Sequence, residues 1–262
     1  MLSAVIITKN EQGFIRDCLQ SVAFADEIIV VDNISSDNTV AICKEFTDKV
    51  ILTKDWPGFG VQKSRALERA RGDWVLSLDA DERISIDLKQ EILSAIQQDK
   101  YSAYQIPRQS QYCGRWIKHS GWSPDYVLRL FRRDSAHFSD DIVHEKVQLN
   151  TGKMGSLSSP IQHYSYNSVE EVLDKTNRYS TANALKSYQQ GKKSSLSKAI
   201  FHGLWAFFRT YIIRAGFLDG QEGFILAVSN AEVSYYRYIK LIYLLKKNRI
   251  KKSDKKSATE AA

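Results

Sequence analysis

Residues 4–98 alternate between short apolar runs and segments with helical periodicity, and this alternation restricts the folds open to the chain. Four of the runs have the length and composition of buried strands: Ala4–Thr8, Glu27–Val31, Val50–Leu52 and Trp74–Leu78. One helical segment follows each of them. Strands that are apolar on both faces and separated by single helices pair in parallel through right-handed crossovers. The pattern therefore predicts an α/β fold with a doubly wound, mostly parallel sheet.

The pattern changes in the second part of the chain. Residues 102–166 form short runs broken by glycine and proline, which indicates an antiparallel or mixed extension of the sheet. From Val169 onward the sequence is helical, and one apolar stripe continues from Phe224 to Leu245 in steps of four and three residues. We expect three parts: an α/β domain (1–166), a helical C-terminal region (167–250) and a flexible basic tail (251–262).

The composition excludes several classes of protein. The three cysteines, Cys18, Cys43 and Cys113, form no CxxC pair, which indicates reduced thiols in a cytosolic protein rather than a disulfide framework or a zinc site. The N-terminal apolar stretch is too short for a signal peptide. No run approaches the roughly 18 uncharged apolar residues of a membrane-spanning helix. We therefore expect a protein that does not span a membrane.

The basic residues are concentrated near the end of the chain. The formal net charge is +7, and the segment from Arg237 to Lys256 contains nine Lys or Arg residues and one Asp. Tyrosines lie among these cations, and residues 201–218 are nearly apolar, a combination that suits a membrane interface. The alternative is a helical subdomain that packs on the α/β core, with a solvated basic tail. Nucleic-acid binding is not expected, because no base-stacking module is recognisable.

Polar side chains follow three of the predicted strands at the point where each strand ends. The three groups are Thr8 to Glu11, Asp32 with Asn33, and Asp79 to Glu82. Ligands of doubly wound sheets bind beyond the carboxyl ends of the strands, so one edge of the sheet is the candidate site. Helix capping is the alternative explanation for Asn10 and Ser35. Capping does not explain three carboxylates after the fourth strand.

The acidic turn after the fourth strand has two possible explanations. Asp79 and Asp81 lie two residues apart, so in extended backbone they face the same side. Two such carboxylates repel each other and suit a hard divalent cation, Mg²⁺ or Mn²⁺, that also binds phosphate. The alternative is an exposed acidic turn that interacts favourably with the N-terminal dipole of the next helix.

The common phosphate-binding motifs are missing from the sequence. The chain has no G-x-G-x-x-G after its first strand, and residues 58–64 lack the glycine that a P-loop needs before its lysine. A nucleotide would therefore have to be bound by a metal ion and basic side chains.

Five segments together carry a family resemblance: AVIITKNE (4–11), EIIVVDNISSDNTV (27–40), FGVQKSRALERARGDWVLSLDADE (59–82), PDYVLRLFRR (124–133) and VHEKV (143–147). They resemble the successive motifs of family 2 glycosyltransferases. The resemblance implies the GT-A fold and an inverting transfer from a nucleotide-sugar donor. The wording DADE, RLFRR, VHE and FLDGQEGF (217–224) is most similar to lipopolysaccharide core β-1,4-glucosyltransferases. That closer likeness implies transfer of glucose from UDP-glucose to the first inner-core heptose.

The resemblance also implies roles for individual residues. Thr8, Asn10 and Glu11 are expected to border the nucleoside pocket of the donor, and Asp32 is expected to contact the uracil or the ribose. Lys63 and Arg65 are expected to lie on a helix that faces the donor, where Lys63 would contact the pyrophosphate. Asp81 is expected to bind the metal ion, Asp79 to support the metal or the ribose, and His163 to complete the metal site. An ordinary solvated helix face is the alternative for Lys63 and Arg65, and a structural histidine is the alternative for His163.

Inversion by a single in-line attack requires a base that takes the proton of the acceptor hydroxyl. Glu145, in VHE, is the first choice for this base, and Asp125, in SPDY, is the second. The VHE motif differs from the Glu-Asp motif that is usual elsewhere in the family.

The resemblance predicts a metal-dependent UDP-hexose transferase, in which residues 1–166 bind the nucleotide sugar and catalyse the transfer. Its acceptor would be the lipopolysaccharide inner core, and it would work as a peripheral protein on the inner face of the cytoplasmic membrane. One alternative is a family 2 transferase that acts on a polyprenyl phosphate or a capsule glycan. Another is a basic membrane- or nucleic-acid-binding protein without turnover.

Overall fold

The structure, a computed structural model, describes residues 1–139 and 146–260, with side chains described as far as residue 248. It comprises two compact units, which are treated separately below. The first unit contains residues 1–110 and 124–165, and the second contains residues 111–123 together with the chain from Tyr166 onward. The expected division of the chain at residues 166 and 250 stays a prediction.

Twelve strands are described: β1 (Leu2–Thr8), β2 (Glu27–Asp32), β3 (Val50–Leu52), β4 (Trp74–Asp79), β5 (Glu82–Arg83), β6 (Ala103–Tyr112), β7 (Arg115–Trp116), β8 (Asp125–Arg132), β9 (Ala136–Phe138), β10 (Val147–Leu149), β11 (Met154–Ser156) and β12 (Ile161–Tyr166). The helices are α1 (Ile15–Ser21), α2 (Thr39–Lys44), α3 (Phe59–Leu67), α4 (Ile86–Gln98), α5 (Val169–Gln189), α6 (Leu196–Phe208) and α7 (Gly220–Glu260).

The large sheet has the strand order β3-β2-β1-β4-β8-β6-β12-β5. Its first four strands pair in parallel, with Val5 of β1 opposite Ile29 of β2 and Ser77 of β4. Beyond β4 the pairing becomes mixed, because β8 runs antiparallel to both β4 and β6 while β11 runs parallel to β6. Residues 102–166 therefore extend the sheet in the mixed manner that their glycine and proline breaks predicted.

Helices cover both faces of the parallel strands. Alternate residues of β1 point to opposite faces, as the two-residue period of a strand requires. On one face Ala4 and Ile6 pack in a cluster with residues of α1 and α4, such as Leu19 and Ile92. On the other face Val5 and Ile7 pack in a cluster that contains Ala66 of α3. The predicted fold class, a doubly wound α/β sheet followed by a helical C-terminal region, is confirmed.

One local prediction is wrong, the capping of the second helix by Ser35. The helix α2 begins only at Thr39, and Asn38 occupies the capping position. The Ser35 hydroxyl instead donates a hydrogen bond of 2.5 Å to the carboxylate of Asp32. A hydroxyl held in this turn is not available to a helix that starts four residues later. Ser85, in contrast, caps α4 by accepting a hydrogen bond from the Leu88 amide.

The second unit is dominated by helices. It contains α5, α6 and α7, and a π-helical turn (Arg209–Ile213) and a 3₁₀ turn (Gly216–Asp219) lie between α6 and α7. The apolar stripe predicted between Phe224 and Leu245 lies within α7, which is helical to Glu260. Over the described residues, no helix combines the length and the apolar character needed to cross a membrane.

Candidate active site

The loops that follow β1 and β2 are tied together at the carboxyl edge of the sheet. The Asn10 side-chain oxygen accepts a hydrogen bond of 2.8 Å from the Ser36 amide, and the Asn10 amide donates one of 2.8 Å to the Ser35 hydroxyl. Glu11 donates its amide to Thr39, also at 2.8 Å. Asn10 has a φ of 55°, a left-handed conformation that asparagine tolerates better than most residues. These bonds shape the loop predicted to border the nucleoside.

Two residues assigned to the donor lie deeper than expected. The carboxylate of Asp32 is fully buried and accepts hydrogen bonds from both the amide and the hydroxyl of Ser35. Thr8 is also buried at the end of β1, with its hydroxyl unpaired among the described residues. In this structure Asp32 therefore holds the loop after β2 in place, and its two oxygens are already engaged.

The first carboxylate of the acidic turn, Asp79, is held by two cations of the same chain. Lys63 places its Nζ 2.7 Å from one oxygen, and Arg129 places a guanidinium nitrogen 2.5 Å from the other. Burial opposes the ionisation of Asp79, but the Arg129 and Lys63 cations outweigh it and hold the pKa of this carboxyl well below its usual range. Asp79 is therefore an anion with both oxygens occupied.

Glu82, the third acid of the turn, is equally well compensated. Its side chain is fully buried and accepts hydrogen bonds from the Asp79 amide at 3.0 Å and from Arg129 at 2.8 Å. Arg108 approaches the same carboxylate at 3.5 Å. Because a buried carboxylate is stable only when it is paired and hydrogen-bonded, these contacts explain how the apolar end of β4 accommodates it. Two of the three acids are thus neutralised without any bound metal ion.

The remaining acid, Asp81, faces His163. Their closest side-chain atoms, Oδ2 of Asp81 and Nε2 of His163, are 3.3 Å apart. Antiparallel pairing of β12 with β5 brings them together, and the Tyr164 amide donates to the Asp81 backbone oxygen at 2.9 Å. The other imidazole nitrogen, Nδ1, lies 2.8 Å from the Ser110 hydroxyl. Both Asp81 and His163 remain partly exposed, so a ligand can reach them.

The donor set fits a hard or borderline divalent cation at Asp81 and His163. A carboxylate oxygen and an imidazole nitrogen are ligands that Mn²⁺ accepts, and a cation of this kind takes its remaining ligands from phosphate and water. Ser110 would orient the imidazole from behind, as partners of metal-binding histidines do. Asp79 does not belong to this donor set, because Lys63 and Arg129 occupy it. Within the part of the chain that the structure describes, no cluster of three or more His, Cys, Asp or Glu side chains is present.

The two candidate bases have different standing in the structure. Asp125 begins β8, and one of its oxygens accepts two hydrogen bonds from Arg108, at 2.9 and 2.7 Å. Glu145, the first choice, lies outside the described residues, as does its neighbour His144.

Of the two basic residues expected to face the donor, Arg65 is paired with Asp55 at 2.7 Å. Lys63 is only 2% exposed and is committed to Asp79.

Three residues of the site were not assigned from the sequence: Arg108, Ser110 and Arg129. Arg129 lies inside the PDYVLRLFRR segment, but the spacing of that segment does not indicate which acid its arginines meet. Its partners, Asp79 and Glu82, lie on β4 and β5, and only the pairing of β8 with β4 brings them within reach. The one local signal is that Arg129 interrupts the apolar run from Val127 to Phe131, and the structure shows that its side chain is buried.

The chain is similar to known proteins over most of its length. The profile of glycosyl transferase family 2 matches residues 3–151. An uncharacterised glycosyltransferase of Rickettsia typhi is 36% identical over 95% of this chain and 89% of that protein. The lipopolysaccharide core biosynthesis glycosyltransferase LpsC of Rhizobium meliloti is 29% identical over 92% of this chain and 89% of that protein.

Among solved structures, S. aureus TarS (residues 1–349, in complex with UDP-GlcNAc) is 15% identical with a TM-score of 0.49, over 94% of this chain and 92% of that chain. The family expected from the sequence motifs is confirmed by the profile and by the relatives. This chain belongs to glycosyl transferase family 2.

Proposed function

We propose that this protein transfers a hexose from a UDP-sugar, with UDP-glucose as the expected donor, to an inner-core heptose of lipopolysaccharide. The observation that carries the donor half is the Asp81–His163 pair at the carboxyl edge of the sheet, beside two acids that the chain neutralises itself. The likeness to LpsC, named as a lipopolysaccharide core biosynthesis glycosyltransferase, supports the acceptor half.

In the proposed site, different side chains of the protein bind the metal ion, orient its ligand and fix the acidic turn. Asp81 and His163 would hold Mg²⁺ or Mn²⁺, and Ser110 would keep the imidazole turned toward it. The cation, when bound, supplies positive charge to the leaving diphosphate. Lys63 and Arg129 fix Asp79, so the backbone of the acidic turn is rigid where Asp81 projects. Rigid placement of this kind lowers the reorganisation that the transition state requires.

Transfer with inversion needs one displacement. The acceptor oxygen forms its bond to the anomeric carbon while the bond from that carbon to the UDP oxygen breaks. A carboxylate on the acceptor side takes the hydroxyl proton, and Glu145 and Asp125 remain the candidates for it. The proton that leaves the acceptor is thereby bound to the enzyme, and the negative charge leaves with UDP.

The experiment that tests the donor half is a thermal-shift screen of UDP-sugars with Mn²⁺, followed by measurement of UDP release. We expect UDP-glucose to stabilise the wild type only when metal is present, and slow UDP release to accompany it. Asp81→Asn should lose both responses, while Glu68→Gln, a change at a surface position of the chain, should keep them. Metal-independent stabilisation by UDP-glucose would contradict the proposed site.

The acceptor half is tested separately by supplying truncated lipopolysaccharide that ends in the inner core. Transfer of labelled glucose to that acceptor, and not to polyprenyl phosphate, supports the proposal. Transfer to polyprenyl phosphate or to a capsule glycan instead would keep the enzyme in its family and overturn the assigned acceptor.

A further inference from the structure

The helix α6 buries small side chains and exposes most of its large apolar side chains. The buried residues of α6 are Ala199, Gly203 and Ala206. Gly203 comes so close to α7 that a Cβ added there would lie 3.3 Å from the Cβ of Tyr235. Such an arrangement is the reverse of a helix on an ordinary globular surface, where the largest apolar side chains point to the core.

The exposed side of α6 and of the turn after it forms one continuous apolar surface, which we call the outer face. It is defined by Phe201, Leu204, Trp205, Phe208 and Ile212, which follow one another in steps of three, one, three and four residues. Phe201 is 65% exposed and Leu204 is 68% exposed. Large contiguous apolar patches are uncommon on soluble monomers and mark interaction surfaces.

The 3₁₀ turn before α7 also exposes two apolar side chains. Phe217 and Leu218 are both about half exposed there, whereas the next residue, Asp219, is buried and anchors the turn. Asp219 accepts hydrogen bonds from the Lys118 and His119 amides, each at 3.0 Å, and from the Ser120 hydroxyl at 2.9 Å. The outward position of the two apolar side chains is therefore held by the fold of the second unit.

The charges of the segment that carries the outer face have a single sign. Residues 190–218 contain no Asp or Glu, and they contain five basic residues that are all exposed: Lys192, Lys193, Lys198, Arg209 and Arg214. An apolar face with Trp, Phe and Leu, flanked by Lys and Arg, is the composition of helices that lie in the interface of anionic membranes. With 13 residues, α6 is about 20 Å long, shorter than the roughly 30 Å of a hydrocarbon core, so it would lie in the interface plane.

We propose that the outer face of α6 docks the protein on an anionic membrane, with its apolar side chains inserted among the lipids and its basic side chains at the headgroups. A second copy of the chain is a poorer occupant, because a symmetric contact would set the same basic residues against each other. Of the two sequence features that suited a membrane interface, the apolar residues 201–218 therefore make the contact, rather than the tyrosines and cations near the end of the chain. It does not depend on the identity of the sugar donor or acceptor.

The test measures co-sedimentation of the full chain with vesicles of phosphatidylcholine, with and without phosphatidylglycerol. We expect binding to the anionic vesicles and at least about tenfold weaker partitioning for the double variant F201S/L204S, because partitioning follows the buried apolar area. The matched control is L173S/L185S, which removes two exposed apolar side chains from α5 of the same unit. It should bind within about twofold of the wild type, since α5 lies outside the outer face.

A second measurement reports on the surface itself. Quenching of tryptophan fluorescence by brominated lipid should be strong in the wild type and lost in Trp205→Phe, because Trp205 lies on the outer face. Equal binding of F201S/L204S and wild type, or quenching that survives Trp205→Phe, would overturn the proposal. A concentration-dependent dimer that F201S/L204S dissociates, without vesicle binding, would overturn it in favour of a second copy. None of these readouts involves glycosyl transfer, so failure here would not bear on the proposed activity.

Discussion

Nε2 of His163 lies 3.3 Å from Oδ2 of Asp81, and the Ser110 hydroxyl holds the opposite nitrogen of the imidazole at 2.8 Å. Two strands and one turn supply the three groups: Ser110 comes from β6, His163 comes from β12, and Asp81 lies in the turn between β4 and β5. The arrangement has the form of a metal-binding histidine with its orienting partner.

The first prediction concerns metal-dependent binding of UDP. Asp81→Asn and His163→Gln each replace one donor with a weaker amide and should raise the Mn²⁺ concentration that half-saturates UDP binding by about a hundredfold. Ser110→Ala should raise it by about tenfold, as loss of an orienting partner does. Isothermal titration of UDP at several Mn²⁺ concentrations measures this. His137→Gln changes an exposed histidine of β9 and serves as the control. An unchanged metal response in His163→Gln would remove His163 from the site.

The second prediction concerns the buried Lys63. Lys63→Met leaves Asp79 with Arg129 as its remaining cation and should lower the free energy of unfolding by about 3 kcal/mol, the lower end of the range for a broken buried ion pair. Urea unfolding monitored by circular dichroism measures the change. Arg65→Met, two residues along the same helix, breaks the more exposed pair with Asp55 and should change the stability little. Similar losses of stability in both variants would show that the Lys63–Asp79 pair contributes no more to the free energy of unfolding than the exposed pair does.

The third prediction distinguishes the two candidate bases. Glu145→Gln should lower kcat by about 10²- to 10⁴-fold without changing the affinity for UDP, because a general base acts only in the chemical step. Asp125→Asn should lower kcat by less than about tenfold, since Arg108 already binds the Asp125 carboxylate through two hydrogen bonds. Steady-state kinetics with saturating donor measure both. The reverse order of the two effects would transfer the role of base to Asp125.

The fourth prediction concerns pH and Glu27, whose buried carboxylate accepts hydrogen bonds from Ser3, Lys49 and the Arg71 amide. Burial raises the pKa of Glu27, but these hydrogen bonds outweigh it and lower the pKa from 4.5 to about 2. The unfolded chain therefore binds the proton first as the pH falls. The stabilisation, about 3 kcal/mol, is complete above pH 4.5 and is lost progressively toward pH 2.

Glu27→Gln should consequently lose this stability at pH 7 and lose much less at pH 3, as measured by urea unfolding at the two values. Glu45→Gln is the matched control, because Glu45 is exposed and paired with Arg16 at the surface. A Glu27→Gln variant whose stability deficit is the same at both pH values would contradict the assigned pKa.

Local periodicity determined most of the fold. The near-continuous apolar runs of β1, β2 and β4 predict strands that are buried on both faces, and single intervening helices predict their parallel pairing. These signals are local, because the two-residue period of a strand and the stepwise period of a helix are properties of neighbouring residues. The position of the candidate site at the carboxyl edge follows from the same pattern, and so does the presence of Asp79 and Asp81 in it.

The partners of these acids could be decided only by the tertiary structure. Crowded carboxylates predicted an external cation, whereas Lys63 and Arg129 already neutralise Asp79 and leave only Asp81 facing His163. The strength of an ion pair depends on the separation of its charges in space, and β8 and β12 reach the acidic turn only through the order of strands in the sheet. The orientation of α6, a segment that is nearly apolar all round in sequence, was also decided by the tertiary structure. Close packing of Gly203 against α7 decides that its small side chains lie inside and its large ones lie outside.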